Sequence, residues 1–342
     1  MLLSAALLAL AACGAEEQGA ATLEERQLPW ADFVATTIDE YYRRNPEQAV
    51  NAGLHQYDGL ASDWSLDAAR EYSARLAATI GVTRQLPDLK AFIVENDIVS
   101  IPGTEDALLA EAPPHRRFNF AYIEIPGPFE KGLPSVYRIA PPDPSWSEED
   151  QLAYIAGETD LLATSIHEVW PGHFLQYLHK NRTDNRVGRH FSTYSYGEGW
   201  AHNTEEMMLE AGYGGGDPEI RIGQLLNALL RNVRYLSAIG LHTGGMAVEE
   251  SQAMFEEKAF QDFGNASQQA YRGTYDPGYL NYTLGKLMIN KLRDDWTDGR
   301  GGREAWGTFH DQFLSYGSPP IPLVRKTMLG EDYAGDTALL PR

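Results

Sequence analysis

Two imidazoles and a carboxylate crowd into seven residues, His167-Glu168-Val169-Trp170-Pro171-Gly172-His173. Apolar residues precede the run, and Phe174, Leu175, Tyr177 and Leu178 follow it, so it reads as helix turned toward a core. A carboxylate flanked by two imidazoles is costly to bury without a metal or partner charges, which favours chemistry over packing. In ordinary zinc peptidases the ligating histidines stand four apart, because four residues at about 3.6 per turn return to nearly the same face, and a glutamate beside the first is the base. Here 173 − 167 gives a spacing of six. An unbroken helix would then separate the two rings by about 240°. Pro171 withholds an N–H and crowds the carbonyl of His167, while Gly172 permits backbone geometry closed to other residues. Together they predict a local bulge or break that absorbs two residues and restores a shared face.

A second acidic cluster, Gly197-Glu198-Gly199-Trp200-Ala201-His202, continues through Glu205 and Glu206, and Glu198 lies 198 − 173 = 25 residues past His173. That is enough chain to turn and run a neighbouring helix back along the first. Glu198 would complete a His-His-carboxylate set with His167 and His173 and leave one position open for catalysis. Glu168 would take a proton from a metal-activated water and deliver it to the leaving amine. Glu205, seven residues beyond Glu198 and on roughly the same helical face, could exchange roles with it or accept a hydrogen bond from a ligand histidine. His179 and His202 read as core histidines.

Helpers for such a step should be phenols, guanidinium groups or imidazoles that meet a developing oxyanion. They gather in Tyr271-Arg272-Gly273-Thr274-Tyr275-Asp276-Pro277-Gly278-Tyr279 and the helix that follows. Tyr282 is the first candidate, Tyr275 the second and His242 the third. Arg272 could hold a peptide carboxylate in a bidentate manner.

The elements that must position these groups are mainly helical. Residues 30–80 carry Phe33, Ile38, Tyr41 and Tyr42 at helical spacing, with Ser65 placed as a cap for a second amphipathic run. Residues 81–87 read as a loop and 89–97 as a short helix. Residues 118–125 and 135–140 alternate between prolines and predict two strands or extended arms, the second able to lie beside a peptide as an edge strand does. Helices are expected over 147–156, 160–181, 197–211, 219–241, 247–263, 280–296 and 302–314. The expected fold is mainly α with a small extended element before the metal-binding helix, divided into an amino-terminal helical segment, 30–80, and a catalytic domain, 81–342.

With 28 Lys and Arg against 48 Asp and Glu, the formal charge of −20 argues against a nucleic-acid binder, which needs a basic face. Apolar residues at 43% and aromatics at 11% exclude a disordered acidic chain. Residues 1–12 have the apolar run of a signal peptide, and Leu10-Ala11-Ala12-Cys13 is similar to a bacterial lipobox. Cys13 is the only cysteine, so disulfides within the chain and thiolate metal sites are excluded. Residues 13–29 would be a lipidated polar tether. No other segment approaches 18 uncharged apolar residues, so the expected location is the bacterial cell envelope, lipid-anchored and periplasmic or outer-membrane facing.

The spelling His167-Glu168-x-x-Pro171-Gly172-His173, followed by Glu198-Gly199-Trp200-Ala201 and later by Tyr282-x-x-Gly285-Lys286, resembles the bacterial domain-of-unknown-function 885 family. Its members are commonly lipoproteins and are grouped with the zincin-like metallopeptidases. The resemblance implies a zincin-like helical fold with a cleft, one zinc ion held by His167, His173 and Glu198, Glu168 as general base, and a peptide substrate. The chain looks like a shortened member: around residues 79–89 a block of helices is missing, which would open one wall of the cleft or expose apolar surface. Asn203 also stands where an aromatic residue is usual. The expected function is a zinc-dependent hydrolase, a peptidase of the cell envelope. The competing expectation is a catalytically inactive lipoprotein that binds or scaffolds.

Overall fold

A computed structural model describes residues 84–330 except 131 and 144, together with Tyr42, Ala49, Val82, residues 54–57, 335 and 338–341. The leader, Cys13, the tether and most of the 30–80 segment lie outside the described residues. Two compact units divide the chain, Met1–Asp63 and Trp64–Arg342. In the first, His55–Tyr57 form a short 3-10 turn. Every element below belongs to the second, which is mostly helical. None of its described helices is long and apolar enough to cross a membrane.

The first helix, α1, runs over 84–95, with Val82 also helical. The expected loop over 81–87 is therefore corrected. Val82, Gln85, Leu89 and Ile93 fall three and four residues apart and are all buried, so tertiary burial carries the helix through Pro87.

Three short strands follow: β1 (Leu108–Glu111), β2 (Ala121–Glu124) and β3 (Val136–Ile139). Their order is β1-β3-β2, with β3 parallel to β1 and antiparallel to β2. The two expected extended arms contain β2 and β3. The first strand was not expected, because Ala107-Leu108-Leu109-Ala110 has no period-two signature. Being central, β3 has both edges occupied, so the segment expected to lie beside a peptide has no edge to offer it.

The remaining helices are α2 (Glu148–Tyr154), α3 (Glu158–Glu168), α4 (His173–Lys180), α5 (Arg186–His190), α6 (Tyr194–Glu210) and α7 (Pro218–Ile239). They continue with α8 (Val248–Ala259), α9 (Phe263–Tyr275), α10 (Asn281–Thr297), α11 (Trp306–Ser315) and α12 (Ile321–Leu329). Local chemistry sets several starts. Ser147 accepts from the Asp150 N–H at 3.1 Å and Asp217 from that of Glu219 at 2.8 Å, with Pro218 in the first helical position. The expected helix over 247–263 ends instead at Ala259. Phe260 takes a left-handed φ of 55°, and Asp262 caps a new helix through the Asn265 N–H at 3.0 Å.

The core joins Trp170, Phe174, Tyr196, Trp200, Phe309 and Phe313, all at most 2% exposed. Through it α6 and α10 touch backbone to backbone. A Cβ added to Gly199 would stand 2.6 Å from the Gly285 Cα, and one added to Gly285 would stand 2.0 Å from the Ser195 carbonyl oxygen. Gly285→Ala must therefore push the helices apart, and we expect a loss of about 1–3 kcal/mol, read by thermal or denaturant unfolding. His310, enclosed by Trp200, Trp306 and Phe309, hydrogen-bonds through Nδ1 to the Ile98 carbonyl at 2.8 Å. Burial pulls its pKa from 6.5 down to about 3. The unfolded chain thus binds this proton first, and stability falls as pH drops from about 6.5 toward 3. Unfolding titrations of His310→Gln should show a slope shallower by up to one proton over that range.

Candidate metal centre

The centre depends on how the chain leaves α3. Helical hydrogen bonding continues to Val169, whose N–H reaches the Ser165 carbonyl at 2.9 Å. The Trp170–Pro171 peptide bond is cis, and Gly172 N–H then reaches back to the Ile166 carbonyl at 3.0 Å. A Cβ on Gly172 would lie 1.7 Å from the His167 carbonyl oxygen, so only glycine fits the passage. The expected bulge is in fact a full break between two helices, with α4 starting at His173. Trp200, buried on α6, donates from Nε1 to the Pro171 carbonyl at 2.9 Å and fastens the break to the helix that carries Glu198.

As a result the His167 and His173 rings stand 4.9 Å apart at 88°. Both Nε2 atoms face one oxygen of Glu198, at 3.4 Å from His167 and 3.1 Å from His173. One ligand atom from each of the three residues lies within 4.8 Å of the others. Tetrahedral coordination with bonds of about 2.0–2.1 Å spaces its ligand atoms about 3.3 Å apart. The donor set and its spacing therefore fit a divalent cation such as zinc.

Electrostatics point the same way. Burial disfavours a charged His173, yet the Glu198 charge and hydrogen bond, aided by Glu168, carry its pKa up to about 9. Burial would raise Glu198, but His173 and His167 hold it well below the usual carboxylate range. The cluster thus keeps positive charge between its carboxylates, a place a cation can take from a proton.

Glu205 settles the choice the spacing left open. Its Oε1 lies 2.7 Å from His167 Nδ1 and its Oε2 lies 3.2 Å from His202 Nδ1, so it orients histidines from behind. With Nδ1 occupied as donor, His167 keeps the Nε2 lone pair for a metal. Arg231 Nη2 meets Glu205 at 3.1 Å, Arg231 Nη1 donates to Asn227 Oδ1 at 2.7 Å, and Asn227 Nδ2 donates to Asp160. Burial would raise the Glu205 carboxyl, but Arg231 and His202 hold it well below its ordinary value. Burial pulls His202 down to about 4, so it stays neutral as a partner of Glu205. Sequence reading missed Asp160, Asn227 and Arg231. Their signal was present: Asn227, Arg231 and Arg234 recur at spacings of four and three, and they share the buried face of α7, while Ile222, Leu225, Leu229 and Leu236 of its apolar stripe are exposed.

Glu168 closes α3 half-buried beside the ligands. Burial raises its carboxyl pKa, with His167 and His173 opposing. Tyr282 is 3% exposed and its ring stacks on His167, centroids 6.1 Å apart. The Tyr282 oxygen accepts from Arg272 Nη2 at 3.2 Å, and no acceptor takes its own O–H among the described residues. Burial raises its pKa, Arg272 opposing, so it remains a donor.

Other expected helpers stand elsewhere. Tyr275 is 65% exposed, the last residue of α9. His242 is exposed in the turn Gly240–Gly244, its Nε2 2.8 Å from the Gly273 carbonyl. Arg272 reaches Asp276 at 3.2 Å and the Tyr194 hydroxyl at 3.0 Å besides Tyr282. Its fork is filled and its charge met, so it serves Tyr282 and is not free for a substrate carboxylate. His179 lies 2.8 Å from the Ser100 carbonyl through Nε2, a structural bond as expected. Asn203 is buried, and its Nδ2 has no hydrogen-bond partner among the described residues.

The family described as "Bacterial protein of unknown function (DUF885)" matches residues 79–328. Among solved structures, "a putative lipoprotein of unknown function" from Shewanella oneidensis is 26% identical with a TM-score of 0.63, over 87% of this chain and 56% of its own. A second protein described in the same terms as a lipoprotein, from Colwellia psychrerythraea, is 18% identical with a TM-score of 0.64, over 89% and 51%, and shows likeness of fold alone. The chain thus spans about half the length of these structures. No curated protein matches it. If the candidate centre takes zinc, Glu205→Gln should lower that affinity by about 10–100-fold, measured by competition with a chelating dye, because His167 would lose its anionic orienting partner.

Proposed function

We propose that this chain, which belongs to the DUF885 family of bacterial proteins, is a zinc-dependent hydrolase of peptide bonds. The observation that carries the reading is the convergence of His167 Nε2 and His173 Nε2 on one oxygen of Glu198, at 3.4 and 3.1 Å, with Glu168 beside them. His167, His173 and Glu198 would hold one zinc ion, which when bound supplies Lewis acidity toward a scissile carbonyl and the attacking water.

The chain's own groups do the rest. Glu168 takes the water's proton on a carboxylate oxygen and returns it to the leaving nitrogen, a task suited to a carboxyl whose pKa burial has raised. Tyr282, whose O–H meets no acceptor among the described residues, donates to the substrate oxygen as charge develops on it. Arg272 holds that phenol in place from behind. Glu205 fixes the tautomer and tilt of His167.

The lipid anchor belongs to the same reading. An apolar run ends at Cys13, and two structural neighbours are described as lipoproteins, which supports a protein tethered in the bacterial cell envelope. Envelope peptides would then be its substrates.

Glu168→Gln distinguishes catalysis from mere binding. Zinc content by atomic emission should stay at one per chain while hydrolysis of a mixed peptide pool falls about 10²–10⁴-fold. Zinc retained with no turnover in the wild type would instead make the protein a binding or scaffolding component.

A further inference from the structure

Lys180, the last residue of α4, is a buried cation without an acid. It is 5% exposed, its Nζ donates to the Ser192 hydroxyl, and it lies 4.9 Å from the centre of the Tyr177 ring. Three buried arginines of this unit have their charge met by carboxylates: Arg231 faces Glu205 at 3.1 Å, Arg293 faces Glu210 at 3.4 Å and Arg325 faces Asp295 at 2.6 Å. Arg234 lies on the faces of Tyr279 and Tyr282 and bonds to Gln269. Lys180 has one hydroxyl and one ring, and no carboxylate within ion-pair distance among the described residues. Burying an ammonium on such terms is costly, and the weak dipole of a two-turn helix does not offset it.

Its place in the fold gives the charge a use. His173, Tyr177 and Lys180 are four and three residues apart and share one side of α4, so Lys180 lies about 10 Å along the helix from the metal ligand. Ser192 stands two residues before α6, and Thr193 between is extended, so the chain from Ser192 to Glu198 spans at most about 13 Å. The α4 path therefore sets the Lys180–Ser192 pair about 10 Å from the centre, about three residues of extended peptide. Ser192 is exposed, so the pair is reached from solvent. Residues 180–190 also carry Lys180, Arg182, Arg186 and Arg189 against Asp184 alone, in a chain of net charge −20. Glu105 occupies Arg182, leaving the stretch cationic and attractive to an anion.

We propose that Lys180 and Ser192 form the subsite for the free terminal carboxylate of a peptide whose scissile bond lies at the metal centre, two or three residues away. Resting on the hydrolase reading above, this makes the activity that of an exopeptidase working from the carboxyl end. The carboxylate supplies the charge that Lys180 lacks, and the Ser192 hydroxyl, relieved of accepting from Lys180, donates to the second oxygen. Arg272, which the sequence offered for this task, is already neutralised by Asp276.

The test is equilibrium binding to metal-free Glu168→Gln protein, by calorimetry, of acetyl-trialanine as free acid and as amide. We expect the acid to bind at least tenfold tighter than the amide, Lys180→Met to erase the difference, and Lys180→Arg to keep most of it, all three variants being checked for a cooperative thermal melt. Equal binding of acid and amide, no binding of the acid, or an acid preference surviving in Lys180→Met would overturn the proposal. Neither metal nor proton transfer enters this measurement, so failure of the hydrolase reading is seen separately, in the turnover of the wild-type zinc protein. Rapid cleavage of amide-ended peptides would reject the carboxylate subsite and leave the hydrolase standing.

Discussion

One contact decides whether this chain has a centre at all: the α-carbon of Gly172 packed under the carbonyl of His167. Where a Cβ would stand 1.7 Å from that oxygen, a hydrogen suffices, and the chain can leave α3 and begin α4 within four residues. Any side chain there would force the two helices apart and aim His173 elsewhere. A second approach of the same kind, Gly199 against Gly285, lets α6 and α10 close until Glu198 and Tyr282 both reach the His167 ring. Both approaches convert missing side chains into proximity of reactive ones. The aromatic core around Trp170 and Trp200 then holds the result.

Charge is arranged around that geometry in alternating layers. His167 and His173 meet Glu198 in front, Glu205 meets His167 and His202 behind, and Arg231 backs Glu205 before the chain of hydrogen bonds passes through Asn227 to Asp160. Each ionised group has an opposite neighbour, which is the condition for keeping so many of them away from water. Lys180 and Arg234 stand outside that alternation, each meeting aromatic rings and neutral groups in place of a carboxylate.

Much of this was legible in the residues. Seven positions from His167 to His173 named both imidazoles, the carboxylate and the break, and Glu198 followed from the length of chain needed to return. The spacing of Glu205 was enough to offer two roles for it but not to choose, because a helical face says nothing about depth. Arg272 was misread for a related reason: sequence shows a guanidinium near tyrosines but not that Asp276 has already taken its charge. The central place of β3 is hidden because β1 has no alternation of its own, and residues 81–87 read as a loop because burial of Val82 and Leu89 is a tertiary fact. What the sequence concealed was who already holds whom.

The tie from the Trp200 indole to the Pro171 carbonyl has a consequence for the order of events. It joins the bend bearing one imidazole to the helix bearing the carboxylate, so the two are held in place together. In the extended chain the three donors are six and twenty-five positions apart with nothing to gather them. An ion meeting the nascent polypeptide would find no cradle, unlike small domains that condense around their metal. For an ion held by these three groups, capture would follow assembly, and a chain treated with a chelator would keep its shape.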